Sequence, residues 1–500
     1  KEDLDASSGG ADALIIEKLE PGELALDLYA PVVSDSRELR FKVMRVGPAM
    51  PLTKILPILE RLGVEVLDEH PYEIRRKDRA SAWILDFGLV LPKGEIYGAD
   101  TLFARFESAF EAAWRGQIAS DSFNSLVTQA GLTWQDAQLI RAYARYMRQI
   151  GSTFGQGYIE MVILENAEIS RLLIEFFRVR FDPVFGGDRE SESHTAREQF
   201  DASLVLVPSL DHDRILRLFW TLIEATMRTN YFADAHTIAF KMVPTMITDI
   251  PLPRPAHEVW VHSPRVEGVH LRFGAVARGG IRWSDRREDF RTEILGLVKA
   301  QEVKNAVIVP VGAKGGFFAK NLPDPAIDRE AWLAEGIGAY QDFIRALLSV
   351  TDNIVDSIVV PPIDVVQHAP DDPYLVVAAD KGTASFSDIA NAISIEENYW
   401  LGDAFASGGT AGYDHKAMAI TARGAWESVK RHFFEMDLNT QREEFTVVGI
   451  GDMSGDVFGN GMLLSDQIRL VAAFDHRHIF IDPTPNATSS FGERVRLAAL

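Results

Sequence analysis

Two hydrophobic periods alternate along the first hundred or so residues, one typical of strands and one typical of helices. Apolar and polar side chains alternate over residues 39–45, and residues 51–62 then repeat apolar positions at helical spacing after a proline suited to a helix start. Strand-like runs at 64–67 and 82–91 precede a helical run at 100–114. The order β-α-β-β-α predicts a compact ferredoxin-like α+β module.

The helical period dominates the next part of the chain. Between residues 136 and 177 one helical stripe is apolar and carries Leu139, Ile140, Tyr143, Tyr146 and Met147. Residues 186–193 are polar and glycine-rich, which predicts a surface loop, and residues 212–230 predict another helix. We therefore expect a helical segment after the first module.

Strand-like and helical runs alternate again in the second half of the chain. Residues 269–273 and 306–311 predict strands, and residues 292–303 predict a helix that ends near Lys304. Residues 357–364 read as a buried strand that closes on two prolines and an acid. This alternation predicts an α/β domain.

Composition and charge narrow the class of protein. The chain has 500 residues, 47% of them hydrophobic, which suggests three or four domains. A net charge of −21 without a basic block argues against a nucleic-acid surface and a polybasic membrane anchor. No apolar run approaches the ~18 to 20 residues of a bilayer span, and no signal pattern opens the chain, so a cytoplasmic protein is predicted. The start at Lys1 and the helical character of residues 491–500 suggest a piece of a longer polypeptide.

Several chemistries are excluded by residues that the sequence lacks. Zero cysteines exclude disulfides, thiolate catalysis, zinc ribbons and cysteine-ligated iron–sulfur clusters. The sequence also contains no phosphate-binding loop of the type G-x-x-x-x-G-K-[ST], no H-E-x-x-H helix and no G-x-S-x-G turn. We expect no metal site.

Three cationic residues, Arg278, Lys304 and Lys314, terminate apolar elements in the predicted α/β domain. Glycine pairs flank Arg278 and Lys314, so the backbone there can approach a carboxylate closely. Burial and nearby cations lower the pKa of a lysine, which makes a base near neutral pH. Arginine stays charged and suits carboxylate binding. The alternative is that a glycine-flanked lysine caps an exposed turn.

An acid, Asp364, ends the predicted strand 357–364. The two prolines before it would fix its carboxylate rigidly, and an acid in such a place can exchange a proton with a substrate nitrogen. A turn-capping aspartate is the alternative interpretation.

A glycine-rich turn follows the apolar run 445–450 and contains Gly449, Gly451 and Gly455. Glycines after a strand let the backbone approach a pyrophosphate at a helix N-terminus, although the G-x-G-x-x-x-G spacing is looser than the usual fingerprint. A second strand over 478–481 ends in Asp482, whose carboxylate could bind ribose hydroxyls and disfavour a 2′-phosphate.

Taken in order, these motifs resemble the large multidomain bacterial NAD-specific glutamate dehydrogenases. The resemblance covers residues 269–481, and residues 1–95 resemble an ACT-type regulatory domain, for which a packing module without a ligand is the alternative. The motifs that carry the resemblance are Arg278-Gly-Gly-Ile-Arg282, Lys304-Asn-Ala-Val307, Gly312-Ala-Lys314-Gly-Gly316, Pro361-x-x-Asp364 and Ala419-Ile-Thr421-Ala-Arg-Gly424.

The resemblance implies a role for each matching residue. Arg278 and Lys304 would bind substrate carboxylates, and Lys314 would activate water. Asp364 would exchange the proton of the amino group, and Thr421 would face the nicotinamide amide. Two departures stand out: the small hexameric enzymes have lysine at the position of Arg278, and their interval between the two lysines is two residues longer, which leaves the register of Lys304 open.

The implied fold is an α/β multidomain chain. It comprises an ACT-like α+β domain at 1–95, a helical segment at 96–232, a glutamate dehydrogenase-type substrate domain at 233–423 and the start of a Rossmann-type NAD-binding domain at 424–500. The implied activity is NAD-dependent oxidative deamination of L-glutamate to 2-oxoglutarate and ammonia by a homo-oligomer. Open alternatives are another amino-acid dehydrogenase, a regulatory or assembly fragment without activity, and a small-molecule sensor built on the ACT-like segment.

Overall fold

The computed structural model divides the chain into two compact units, residues 1–407 and 408–500. It describes residues 6–30, 38–76, 80–92, 99–233, 237–304, 311–383, 385–410, 418–453, 455–475 and 477–499. Within these ranges no helix is both long and apolar enough to cross a membrane.

A four-stranded antiparallel sheet with strand order β1-β2-β4-β3 opens the first unit. Its elements are α1 (Ala6–Lys18), β1 (Leu24–Tyr29), β2 (Glu38–Val46), α2 (Leu52–Arg61), β3 (Glu65–Ile74), β4 (Ala82–Val90) and α3 (Leu102–Trp114). The predicted β-α-β-β-α order is confirmed, and β1 adds the edge strand next to β2 that completes a ferredoxin-like sheet. Phe106 and Phe110 of α3 pack edge-on against Phe41, with ring centroids 5.2 and 5.0 Å away, so α3 belongs to this core.

The predicted helical segment is confirmed. Its helices are α4 (Leu126–Gln129), α5 (Trp134–Gln149), α6 (Gln156–Glu165), α7 (Ala167–Phe181), α8 (Arg189–Leu204) and α9 (Leu210–Ala225). The apolar stripe of α5 is buried throughout. Two boundaries are wrong: α8 begins inside the predicted loop because the Asp188 carboxylate accepts hydrogen bonds from the first amides of the helix, and α9 ends at Ala225 because the residues that follow join a sheet.

A seven-stranded mixed sheet follows, with the order β10-β11-β8-β7-β6-β5 and β9 also paired with β11. The strands are β5 (Thr226–Thr229), β6 (Ile238–Met242), β7 (His257–His262), β8 (Val266–Arg272), β9 (Ala277–Arg278), β10 (Ile281–Trp283) and β11 (Val311–Ala319). Helix α10 (Phe290–Lys304) shares a core with α5 and β8, whereas α11 (Arg329–Leu348) shares a second core with β10 and β11. Most of the strand predicted over 306–311 lies outside the described residues, which exclude 305–310.

Short elements complete the first unit. They are β12 (Asn353–Val355), β13 (Ile358–Val360), β14 (Val377–Ala378), α12 (Ser387–Glu396) and β15 (Ala406–Ser407). The buried strand predicted over 357–364 is wrong, because β12 and β13 form an isolated exposed hairpin. Positive φ angles at Asp356 and Ser357 turn the chain sharply there, and Ile358 is 66% exposed.

The second unit has a three-stranded sheet in the order β16-β17-β18. Its elements are α13 (Ile420–Phe434), β16 (Phe445–Asp452), β17 (Ile468–Phe474), β18 (Ile479–Ile481) and α14 (Ala487–Ala498). Strands β16 and β17 are parallel, as in a nucleotide-binding βαβ unit, whereas β18 runs antiparallel to β17. Both strands predicted in this region are therefore confirmed as strands.

Candidate active site

Lys314 lies in the middle of β11 and not at the end of an apolar element, which corrects the prediction. Its side chain is buried, so the interpretation as an exposed turn cap is also wrong. The ammonium group forms an ion pair with Oδ2 of Asp380. The structure thus places a buried amine and a carboxylate in contact in the predicted substrate domain.

Glycines let three stretches of backbone meet around this ion pair. A Cβ atom at Gly279 would lie 1.5 Å from the carbonyl oxygen of Ala313, and one at Gly280 would lie 2.8 Å from that of Ala379. No side chain fits at Gly279 without separating the neighbouring strand. The glycine pair that the sequence places after Arg278 therefore permits the close approach that brings Asp380 to Lys314.

Asp380 is held beside β10 by backbone and hydroxyl contacts. Ala379 forms a parallel bridge with Ile281, and the Trp283 amide donates to the carbonyl of Lys381 at 3.2 Å. The Thr383 hydroxyl donates to the carbonyl of Ile281 at 2.6 Å and accepts from the Asp380 amide at 3.1 Å. These contacts fix the acid relative to the neighbouring strand.

Buried ion pairs tie the segment before Asp380 to the sheet. The Asp372 carboxylate binds Arg272 of β8 and Lys241 of β6, and the Asp372 amide donates to Asp352 at 2.5 Å. Asp352 also pairs with the fully buried Arg228 at 2.5 Å. Burial raises the pKa of Asp372, but Arg272 and Lys241 outweigh it and lower that pKa to about 2. The segment is therefore braced by charges on three strands of the sheet.

The Asp380 carboxylate is held in its ionised form. Burial alone raises its pKa, but the hydrogen bond and charge of Lys314, with contacts from the Lys381 amide and Arg282, outweigh burial and hold the pKa of Asp380 below its ordinary value. Arg282 Nε lies 3.3 Å from Asp380 Oδ2, and Arg282 Nη1 lies 2.9 Å from Glu293 Oε1. Two cations thus meet one carboxylate oxygen.

Arg278 lies in β9 and pairs with Gly312 of the parallel strand β11. Paired residues and residues two apart on a strand project to one face, so Arg278 and Lys314 belong to the same face of the sheet. Burial raises the pKa of Tyr374, and the charges of Arg278 and Arg272 oppose that rise, which places the half-buried Arg278 within electrostatic range of this phenol. A cation for a substrate carboxylate is therefore available on the same face as the lysine.

Of the other two residues predicted for the substrate site, Asp364 lies apart from this ion pair and Lys304 lies outside the described side chains. Lys304 is the last residue of α10, and its side chain lies outside what the structure describes. Asp364 is exposed in a turn with φ of 56°, which fits its interpretation as a turn residue. The structure pairs Lys314 with Asp380, and that acid was missed although it too ends an apolar run, residues 375–379.

In the second unit, Gly449 and Gly451 lie within β16, and Gly455 precedes a five-residue π-helix, Asp456–Asn460. The predicted turn is therefore wrong for Gly449 and Gly451, which belong to the strand, whereas Gly455 does precede a helix as predicted. Gly451 has φ of 157°, and apart from its chain neighbours no atom of the described residues lies within 4 Å of where its Cβ would be, so backbone is open to a ligand there. Thr421 is exposed in the first turn of α13.

Two acids follow strands of this unit. Asp482 follows the antiparallel strand β18, and its Oδ1 accepts from the Thr484 amide at 3.1 Å. Asp475 follows the parallel strand β17, about 20 residues after Gly455, which is the position that a ribose-binding acid takes in a dinucleotide fold. The amide of Arg477, and then that of His478, donate to its carboxylate and lower the pKa of Asp475. The sequence prediction overlooked this residue.

Family models match three parts of the chain. A model described as bacterial NAD-glutamate dehydrogenase, catalytic domain, matches residues 199–500. Models described as glutamate dehydrogenase, helical motif 3, and glutamate dehydrogenase, ACT3 domain, match residues 118–183 and 23–102. The ACT-like and helical interpretations of the sequence are thereby confirmed.

Three curated relatives are named NAD-specific glutamate dehydrogenase. The protein from Halomonas elongata is 54% identical over 99% of this chain and 31% of its own length. The Mycobacterium tuberculosis protein is 55% identical over 91% of this chain and 29% of its own length, and the Pseudomonas aeruginosa protein is 50% identical over 96% and 30%. This chain therefore spans about a third of the length of these relatives.

A solved structure, the hetero-hexameric glutamate dehydrogenase from Thermus thermophilus in its Leu bound form, also matches. It shares 16% identity and a TM-score of 0.30 over 48% of this chain and 52% of its own.

The family match covers more than half of the chain and includes both the Lys314–Asp380 pair and the second unit. The chain belongs to the bacterial NAD-glutamate dehydrogenase family.

Proposed function

We propose that this chain supplies substrate-binding and acid–base residues for NAD-dependent oxidative deamination of L-glutamate to 2-oxoglutarate and ammonia. The ion pair between the buried Lys314 and the partly buried Asp380 carries the proposal, because it sets an amine beside an acid. Arg278 lies on the same face of the sheet as this amine. The shared name of the relatives supports the choice of reaction.

Each residue has a separate task in this proposal. Arg278 binds the side-chain carboxylate of the dicarboxylic substrate, because a guanidinium stays charged and offers paired donors. Asp380 takes a proton from the substrate nitrogen, and Lys314 orients and activates the water that attacks the imine carbon. Bound NAD supplies the acceptor for the α-hydrogen and its electron pair. The C–N bond then breaks, the nitrogen leaves as ammonia, and the water oxygen becomes the keto oxygen.

Residues for NAD are proposed in the second unit. Gly449, Gly451 and Gly455 line the strand end where backbone can approach a pyrophosphate, and Thr421 remains the candidate for the nicotinamide amide. Asp475 is the stronger candidate for the ribose than Asp482, because it follows the parallel strand. Its negative charge disfavours the 2′-phosphate of NADP. A homo-oligomer in the cytoplasm also stays part of this proposal.

Substrate choice tests the proposed reaction. In the full-length protein, Arg278→Met is expected to lower kcat/KM for glutamate about 10- to 100-fold, because a charge-assisted hydrogen bond is lost. Rates with leucine or valine should change little, so the preference for glutamate should collapse. Initial rates with the three amino acids measure this. Arg287→Met, which removes an exposed side chain beside Glu288, is the matched control. A variant that still prefers glutamate as strongly as the wild type would contradict the assignment of Arg278.

Coenzyme kinetics separate the two candidate ribose acids. Asp475→Asn is expected to raise the KM for NAD about 10- to 100-fold and to improve the use of NADP, because a charged acceptor becomes neutral. Asp482→Asn should leave both constants near the wild-type values. A raised KM for NAD in Asp482→Asn, with Asp475→Asn near the wild-type values, would assign ribose binding to Asp482.

A further inference from the structure

We propose that Arg282 is a positioning residue: it clamps the Asp380 carboxylate toward Lys314, and Glu293 with Ser284 hold Arg282 in place. This inference rests on the proposed function, because it assigns Arg282 a role through Asp380 and not through contact with substrate. It extends the Lys314–Asp380 pair by three side chains, those of Arg282, Glu293 and Ser284.

The geometry of the clamp carries the inference. Arg282 lies on β10, in register with Gly316 of β11, so it projects from the strand next to that of Lys314. Its Nε is 3.3 Å from Asp380 Oδ2, the same oxygen that Lys314 contacts. Both contacts fall on Oδ2, and a carboxylate has further acceptor lone pairs on Oδ1 that suit a substrate proton.

The far end of Arg282 is anchored as well. Nη1 is 2.9 Å from Glu293 Oε1 on α10, and the Ser284 hydroxyl donates to Glu293 Oε2 at 2.7 Å. The side chains of Arg282, Asp380 and Glu293 are all less than a fifth exposed, so solvent screens these contacts only partly. A guanidinium can bridge two carboxylates in this way because its donors point in fixed and separate directions.

Charge balance predicts opposite effects from the two ends of the clamp. The charged groups that face Asp380 are Lys314 and Arg282, and those that face Arg282 are Asp380 and Glu293. Neutralising Arg282 removes a cation from Asp380 and therefore raises its pKa. Neutralising Glu293 frees more of the Arg282 charge for Asp380 and therefore lowers that pKa.

The experiment compares kinetics of Arg282→Gln, Arg282→Lys and Glu293→Gln in the full-length protein with glutamate and NAD. Arg282→Gln is expected to lower kcat about 10- to 100-fold, because Asp380 is misplaced. In the plot of kcat/KM against pH, this variant should also shift the acidic limb to higher pH by about one unit. Arg282→Lys should bring that limb back toward the wild-type position, since the charge returns. Glu293→Gln should move the limb in the opposite direction, to lower pH.

A merely structural role would lower the melting temperature of these variants and leave the limb where it is. Arg265→Gln is the matched control, because it breaks the half-exposed pair between Arg265 and Glu335 elsewhere in the same unit. If the acidic limb stays at its wild-type pH in all variants and kcat stays within twofold of the wild-type value, the positioning role is overturned while the proposed reaction remains intact. A full-length protein that does not oxidise glutamate would overturn both. If Arg282→Gln fails to fold, the shift of the limb to lower pH in Glu293→Gln still decides the matter.

Discussion

Replacing Lys314 by alanine in the full-length protein is expected to reduce kcat/KM for glutamate by about 10²- to 10⁴-fold, the range typical of a lost acid–base group. The variant loses the amine that faces Asp380, whereas the glycines, Arg278 and the second unit stay as they are. Initial rates with NAD and glutamate measure the loss.

Lys320→Met provides the control for Lys314. Lys320 follows the same strand and pairs with the buried Glu267 at 3.2 Å, so its loss removes a comparable ion pair away from the proposed site. Glu267 keeps its contacts with Arg145 at 3.1 Å, which should allow the variant to fold. We expect lower thermal stability and near-wild-type kcat from this control. A Lys314→Ala enzyme within tenfold of the wild type would refute the role of the amine.

The second large effect is expected from the acid that accepts the proton of the substrate nitrogen. Asp380→Asn is expected to lower kcat by about 10²- to 10⁴-fold, because an amide cannot accept the proton of the substrate nitrogen. Asp364→Asn should remain within twofold, since this side chain is exposed in a turn after the β12–β13 hairpin. Parallel measurements of kcat and of melting temperature separate chemistry from folding.

A large loss of kcat in Asp364→Asn, with little loss in Asp380→Asn, would instead assign the proton transfer to Asp364, as the sequence suggests. The Asp380→Asn variant also leaves Lys314 without its carboxylate, so part of any loss could reflect stability. A variant with an unchanged melting temperature and a low kcat isolates the chemical contribution. A stable Asp380→Asn enzyme with wild-type kcat would exclude this acid from the reaction.

Local sequence patterns were sufficient to predict most elements. The strand and helix periods located β2, β4, α5 and α10, and a cation beside a glycine pair was enough to select Lys314. These features depend on neighbouring residues, so the sequence carries them directly. The start of α8 was missed because the capping role of Asp188 was overlooked in a stretch that otherwise resembles a loop.

The choice between similar acids could not be predicted in the same way. Asp364 and Asp380 both follow apolar runs, and so do Asp475 and Asp482. What distinguishes them is the pairing of distant strands: Ala379 with Ile281 in the first unit, and β17 parallel to β16 in the second. Such pairing depends on contacts far apart in the sequence, which periodicity does not report.

The hydroxyl of Thr383 pins the segment 379–383 in one register along β10. Residues 380–383 form a tight turn, in which the Thr383 amide donates to the Asp380 carbonyl at 3.1 Å, so the place of Asp380 depends on the chain not slipping by one residue along β10. Such a slip would exchange Asp380 for its neighbour Lys381 and put two like charges in the place of a salt bridge. An inserted or deleted residue within this short stretch would therefore reverse the sign of the charge that faces Lys314, even though no functional residue had been replaced.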